Sequence, residues 1–230
     1  MNLLLLSNST NYGEPYMKWC SSIISNFVND NSSVVFIPYA AVGFSYNDYT
    51  DKVNQALSSY NIKVHNLDDF DDKIQALQDA TAIFVGGGNT FHLLKSLQKL
   101  NLINTIQKLV SNGLTYVGWS AGSNIASPTI CTTNDMPIVE PESFDSLGLV
   151  PFQINPHFTE ELIPNHGGES RLQRLSEYLA ANPKQKVFAL PESSYLIQKN
   201  RQWNYFGKTN GKLITSKGID NIEDQSSVIF

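Results

Sequence analysis

The sequence predicts an α/β protein with a mostly parallel sheet between helices and antiparallel strands at its C-terminal edge. Three observations carry this. Short apolar runs alternate with longer stretches of helical spacing as far as residue 117; close-spaced apolar runs follow residue 187; and two glycine-rich turns each come directly after an apolar run.

In chain order, Leu3–Leu6 reads as a buried strand. Lys18–Val28 has helical spacing, with Ile23, Ile24 and Phe27 on one side. Val34–Ile37 is a β-branched strand stopped by Pro38. Asp48–Tyr60 reads as a helix, Ile62–Val64 as a short strand, Asp71–Gln78 as a helix and Ala82–Val85 as a strand. Phe91–Leu97 and Ile103–Ser111 are helical, Gly113 caps the second, and Leu114–Val117 is the next strand. Val187–Leu190, Tyr195–Ile197, Trp203–Phe206 and Leu213–Thr215 are the C-terminal strands, with Asn210-Gly211 read as a hairpin turn before the last. No linker or internal repeat divides the chain, so residues 1–230 are expected to form one domain.

Composition narrows the function classes. The chain is 41% hydrophobic, enough for a sizeable core, and carries a net charge of −5 with a pI near 5.3. An acidic chain with few basic runs makes a poor nucleic-acid binder. The N-terminal run is only four leucines with no basic residue before it, so it reads as a strand rather than a signal peptide. No apolar run approaches the roughly 18 residues of a membrane helix, so no membrane association and a cytoplasmic location are expected. Cys20 and Cys131 stand in no metal-ligand spacing and read as free thiols. No metal and no cofactor are expected.

Gly118-Trp119-Ser120-Ala121-Gly122 follows a strand and matches G-x-S-x-G. Such a turn lifts the serine hydroxyl out at the carboxyl end of the strand, and a helix N-terminus after it favours developing negative charge. The same pentapeptide also serves as an ordinary strand-to-helix turn. Val85-Gly86-Gly87-Gly88-Asn89-Thr90 also follows a strand and bares its backbone N–H groups. Gly88 and Ala121 N–H could together hold an oxyanion, while phosphate binding is the rival use and a plain tight turn the third.

A serine nucleophile needs a base. Of His65, His92, His157 and His166, we take His157, which Pro156 fixes in non-helical backbone just past an apolar run. Glu192, after Val187–Leu190 and Pro191, is the better placed orienting carboxylate; Asp135 is the other candidate and could instead bind a substrate amine or hold its loop. Arginine is scarce. Arg171 and Arg174 lie at i, i+3 in Glu169-Ser170-Arg171-Leu172-Gln173-Arg174, and either reads a carboxylate ligand or pairs with Glu169 or Glu177 on a solvated face.

Taken together, the motifs resemble the peptidase E family of α-aspartyl dipeptidases, over nearly the whole chain. The stretches that carry the resemblance are Leu3–Thr10, Phe36–Pro38, Tyr49–Lys52, Val85–Phe91, Gly118–Gly122, Thr132–Val139, Gln153–Thr159 and Leu190–Glu192. Ser123 departs from it, standing where alanine is expected. The resemblance implies a fold like that of class I glutamine amidotransferases, a flavodoxin-like sandwich. It also implies a Ser120–His157–Glu192 triad, an oxyanion hole from Gly88 and Ala121, Asp-Xaa dipeptides as substrates, metal-free cleavage and a homodimer. Asn89, Asp135, Glu169 and Arg171 are the expected substrate-binding residues. Two other readings stay open: a β-aspartyl, cyanophycinase-like peptidase on the same triad, and a non-catalytic module binding a small anion.

Overall fold

The computed structural model describes residues 1–28, 33–162 and 167–230. The chain runs β1 (Asn2–Leu6), α1 (Ser21–Phe27), β2 (Ser33–Ile37), α2 (Tyr46–Leu57), β3 (Lys63–Asn66), α3 (Lys73–Asp79), β4 (Ala82–Val85), α4 (Thr90–Lys99), α5 (Ile103–Ser111), β5 (Thr115–Trp119) and the short α6 (Ala121–Asn124). After a long irregular stretch come β6 (Gln153–Phe158), α7 (Arg171–Ala181), β7 (Lys186–Pro191), β8 (Ser194–Lys199), β9 (Gln202–Gly207), β10 (Gly211–Thr215), β11 (Gly218–Ile222) and β12 (Ser227–Val228).

These strands make two sheets, not one. The larger has eight strands in the order β12-β9-β8-β1-β5-β4-β2-β3, and the smaller has four in the order β11-β10-β7-β6. Strands β1, β5, β4, β2 and β3 are mutually parallel, and β8, β9 and β12 extend that sheet antiparallel beside β1. This is the expected antiparallel edge. The small sheet is a correction: β7 pairs with β6 in parallel and with β10 antiparallel, so two of the expected edge strands leave the main sheet.

The Asn210-Gly211 hairpin is corrected for the same reason. It joins β9 in the large sheet to β10 in the small one, and those two strands do not pair. The tight hairpin lies earlier, between β8 and β9. There Asn200 and Arg201 both take positive φ (52° and 66°) between the paired Lys199 and Gln202, the backbone of a two-residue turn that matches strand twist.

Both faces of the large sheet are covered, which explains its uninterrupted apolar runs. On β1, Leu3 and Leu5 join the core shared with the small sheet, and Leu4 and Leu6 join the core under α1 and α2. All four are fully buried, each contributing roughly 2 kcal/mol relative to exposure. Among the described residues, no helix is long and apolar enough to cross a membrane.

The parallel strands end along one rim. Ser7 follows β1, Gly86 follows β4 and Ser120 follows β5. In the small sheet, His157 lies near the end of β6 and Glu192 directly follows β7.

Candidate active site

Ser120 sits at the hinge between β5 and α6 with φ 54°, a left-handed conformation that costs a non-glycine residue energy. The turn closes because Gly122 approaches β4. A Cβ at Gly122 would lie 2.1 Å from the Val85 carbonyl oxygen, so no other residue fits. The helix expected after the serine is α6, which spans only Ala121–Asn124.

His157 also has a positive φ, 53°, where the β6–β7 register shifts between Asn155 and Phe158. The bulge re-aims the imidazole out of the sheet. Its Nε2 lies 2.9 Å from Ser120 Oγ, and its Nδ1 lies 2.9 Å from Glu192 Oε1. A carboxylate at Nδ1 makes that nitrogen the donor and leaves Nε2 to accept from the serine hydroxyl. Both side chains are open to solvent, 38% for His157 and 53% for Glu192. Their pairing therefore adds little to stability; its effect is to fix the ring.

The frame behind this relay is buried. The Ser7 hydroxyl accepts the His157 backbone N–H at 2.8 Å and donates to the Leu190 carbonyl at 2.8 Å. The Asn8 carboxamide oxygen accepts the N–H of Ser193, which follows Glu192 and has φ 59°. Ser194 Oγ donates to the Pro191 carbonyl, closing the turn that carries Glu192. The tip of β1 thus braces both the histidine and the carboxylate. Nothing in the sequence reading assigned Ser7 or Asn8 a part.

The glycine-rich loop lies alongside. Gly88 has φ 137°, and a Cβ there would stand 2.2 Å from the Ala40 carbonyl oxygen. No protein acceptor takes the N–H of Gly88 or Ala121 among the described residues. Just beyond, the N-terminus of α4 is occupied by protein groups. Asn89 Oδ1 accepts from His92 N at 3.0 Å, and Asp135 Oδ2 accepts from Thr90 N at 2.7 Å and from Thr90 Oγ1 at 2.6 Å. A carboxylate at that helix end opposes phosphate there by charge and by space.

Asp135 thus holds its own loop, against the glycine-rich turn, rather than facing the histidine. Asn89 is spent the same way, its Nδ2 donating to the Met136 carbonyl. Glu169 pairs with Arg174 at 3.0 Å, both side chains exposed. Of the other histidines, His92 bonds the Tyr39 carbonyl through Nδ1, His65 is on the outer strand β3, and His166 lies outside the described residues.

Arg171, the first residue of α7, borders a cavity of about 950 Å³ with Thr132, Asn134 and Asn155. Its Nη1 is buried with no hydrogen-bond partner among the described residues, and burial lowers the guanidinium pKa. The Asn155 carboxamide nitrogen donates to Thr132 O and Asn134 Oδ1, leaving its buried Oδ1 unpartnered among the described residues. A second cavity, of about 730 Å³, is lined by His157, Glu192, Thr209, Asn210 and Lys212, and shares Thr159 and Glu161 with the first. Lys212 there pairs with Glu160 at 3.2 Å. Among the described residues no cluster of three or more His, Cys, Asp or Glu side chains could hold a metal ion. Both cysteines are free; Cys20 is buried, with its thiol pushed up to about 12, and Cys131 is exposed.

Comparison with known proteins converges on one group. The family model described as Peptidase family S51 matches residues 3–205. The chain is 48% identical over 195 residues to peptidase E of Nostoc sp., covering 84% of this chain and 81% of that protein. It is 46% identical over 202 residues to peptidase E of Salmonella paratyphi A, covering 88% of each. Among solved structures, a peptidase from an acI-B1 Actinobacterium matches with a TM-score of 0.72 over 100% of this chain and 96% of that one; at 16% identity this is a likeness of fold.

Proposed function

The chain belongs to peptidase family S51, and from that membership we propose that it is a serine-type dipeptidase hydrolysing dipeptides with an N-terminal aspartate. The observation that carries the serine mechanism is the unbroken relay Ser120 Oγ, His157 and Glu192, with both links at 2.9 Å, beside two backbone N–H groups without a protein acceptor among the described residues.

The relay dictates the steps. His157 Nε2 takes the Ser120 proton as Oγ attacks the aspartyl carbonyl carbon. The oxyanion is held by Gly88 and Ala121 N–H. His157 then protonates the departing amine, the C–N bond breaks, and an aspartyl ester on Ser120 remains. Water, deprotonated by His157, hydrolyses that ester and restores the serine. Glu192 keeps the imidazole in the useful tautomer and offsets its charge throughout.

Because His157 must reach the leaving nitrogen, the departing amino acid belongs in the cavity that His157 lines, where Asn210 offers a donor to its carboxylate and Lys212 a charge shared with Glu160. The aspartyl residue then belongs on the Arg171 side. A half-buried guanidinium with an unmet donor suits a carboxylate, and Asn155 Oδ1 suits the free α-ammonium.

Hydrolysis of Asp-Leu, β-Asp-Leu, Asn-Leu and acetyl-Asp-Leu in EDTA tests the reading. Asp-Leu alone is expected to be cut. Preference for β-Asp-Leu moves the protein to the isoaspartyl reading on the same relay. Ser120→Ala is expected to remove nearly all turnover and fluorophosphonate labelling; activity within about tenfold of wild type rejects the serine mechanism. Arg171→Met is expected to cut the Asp-over-Asn preference about 30- to 100-fold, the equivalent of roughly 2–3 kcal/mol. An unchanged preference removes Arg171 from the specificity pocket.

A further inference from the structure

We propose that Tyr49, on α2, is a positioning residue for the oxyanion hole, its single hydroxyl tying the glycine-rich loop to the turn that carries Ser120. The inference rests on the serine mechanism proposed above.

The geometry begins with one peptide unit. The Gly87 carbonyl and the Gly88 N–H belong to the same planar trans peptide, so they point in opposite directions. Whatever fixes the carbonyl aims the N–H. Tyr49 Oη donates to the Gly87 carbonyl at 3.1 Å. The same oxygen accepts from Trp119 Nε1 at 3.0 Å. Trp119 immediately precedes Ser120, and Ala121 immediately follows it. One hydroxyl therefore connects the loop holding the first N–H to the turn holding the second.

The ring that carries this hydroxyl has little room to move. Tyr49 is 5% exposed. Phe36 meets it edge-on at 5.0 Å, Phe44 at 5.2 Å and Tyr16 at 6.5 Å, while Phe36 also stacks on Trp119 at 5.7 Å. Burial raises the phenol pKa, so the hydroxyl stays protonated and remains a donor. The loop has two backbone anchors besides, Gly86 N–H to the Ile37 carbonyl at 3.1 Å and Asn89 N–H to the Ala40 carbonyl at 2.8 Å, which hold the peptides before Gly86 and after Gly88 but do not set the orientation of the Gly87–Gly88 unit. That unit lies between two glycines and is free to rotate without Tyr49. Its rotation would swing the Gly88 N–H away from the developing oxyanion while leaving the cavities that hold the ground-state substrate in place.

The expected signature is a split between kcat and KM. Tyr49→Phe keeps the ring and its packing and removes one oxygen. It is expected to lower kcat on Asp-Leu about 10- to 30-fold, less than the roughly 100-fold or more for deleting an oxyanion donor outright, with KM changed less than about twofold. Affinity for a boronic acid analogue of aspartate, which forms a tetrahedral adduct on Ser120, should fall by the same factor as kcat/KM. Affinity for free aspartate should stay constant. A folded variant with kcat within about twofold of wild type, or one that loses ground-state affinity as much as turnover, overturns the proposal.

Should Tyr49→Phe not fold, 3-fluorotyrosine at position 49 keeps the ring and hydroxyl, adds one small atom, and makes the hydroxyl a stronger donor to Gly87 and a weaker acceptor from Trp119. A kcat that moves at constant KM supports the role, and an unmoved kcat overturns it. Ser120→Ala, run alongside, separates the two levels. An active Ser120→Ala rejects the serine mechanism itself, whereas an inert Ser120→Ala beside an unimpaired Tyr49→Phe rejects only the role of Tyr49.

Discussion

Ser7 is the residue whose removal tests how the relay is held. It is fully buried, with an acceptor role to the His157 N–H and a donor role to the Leu190 carbonyl. Ser7→Ala removes both of these hydrogen bonds at a position where His157 already has positive φ, at a cost of about 1–3 kcal/mol. The expected outcome is a Tm lowered by roughly 4–8 °C for a loss near the middle of that range. Turnover of Asp-Leu should fall further than stability explains, because His157 loses its fixed backbone. Calorimetry and kcat at a temperature well below both transitions check this; unchanged kcat would confine Ser7 to stability. The relay residues were legible in the sequence because each follows an apolar run, which places it at a strand's carboxyl end. Ser7, Asn8 and Tyr49 were not. Their parts depend on hydrogen bonds to segments 150, 185 and 38 positions away, and no local pattern encodes such a partner. Asn89, Asp135 and Glu169 carried the right chemistry for a ligand, but neighbouring backbone and side chains claim it first. Ser123, the departure from the family pattern, donates to backbone carbonyls at Leu6 or Gly118, at 2.6 and 2.9 Å, and so fastens the serine turn to β1.

At the scale of elements, periodicity found strands β1 to β5 and the helices between them because each is an uninterrupted local signal. Ala82–Val85 and Ile103–Ser111 have the bounds that the apolar pattern gives. The split into two sheets was not legible. Apolar alternation says that a strand has a buried face but not which neighbour it pairs with. The stretch Gln153–Phe158 hides its strand for a further reason: Pro156 and the bulge at His157 interrupt the very pattern that would reveal it. That interruption is what turns the imidazole toward Ser120. The least strand-like part of β6 is therefore its working part, an expected place for local rules to fail.

Across the whole molecule, the relay bridges two sheets. Ser120 belongs to the large one, and His157 and Glu192 to the small one. A shared core joins them, with Leu3 and Leu5 of β1 in the same cluster as Phe152, Phe188, Leu190 and Leu213. One cooperative unit should result. In a urea titration, enzyme activity, far-ultraviolet circular dichroism and tryptophan fluorescence are expected to be lost in a single coincident transition. Activity lost at lower urea than the optical signals would instead mark the small sheet as a separately melting part. Chain order adds a consequence for biosynthesis. A ribosome makes the strands that seat Ser120 before it makes residue 157 or residue 192, and N-terminal segments fold first. Throughout that interval the emerging polypeptide carries a serine with no base and no carboxylate behind it. The hydrolytic power proposed for this protein arrives only when its last third docks, so a nascent or truncated copy is inert toward the peptides around it.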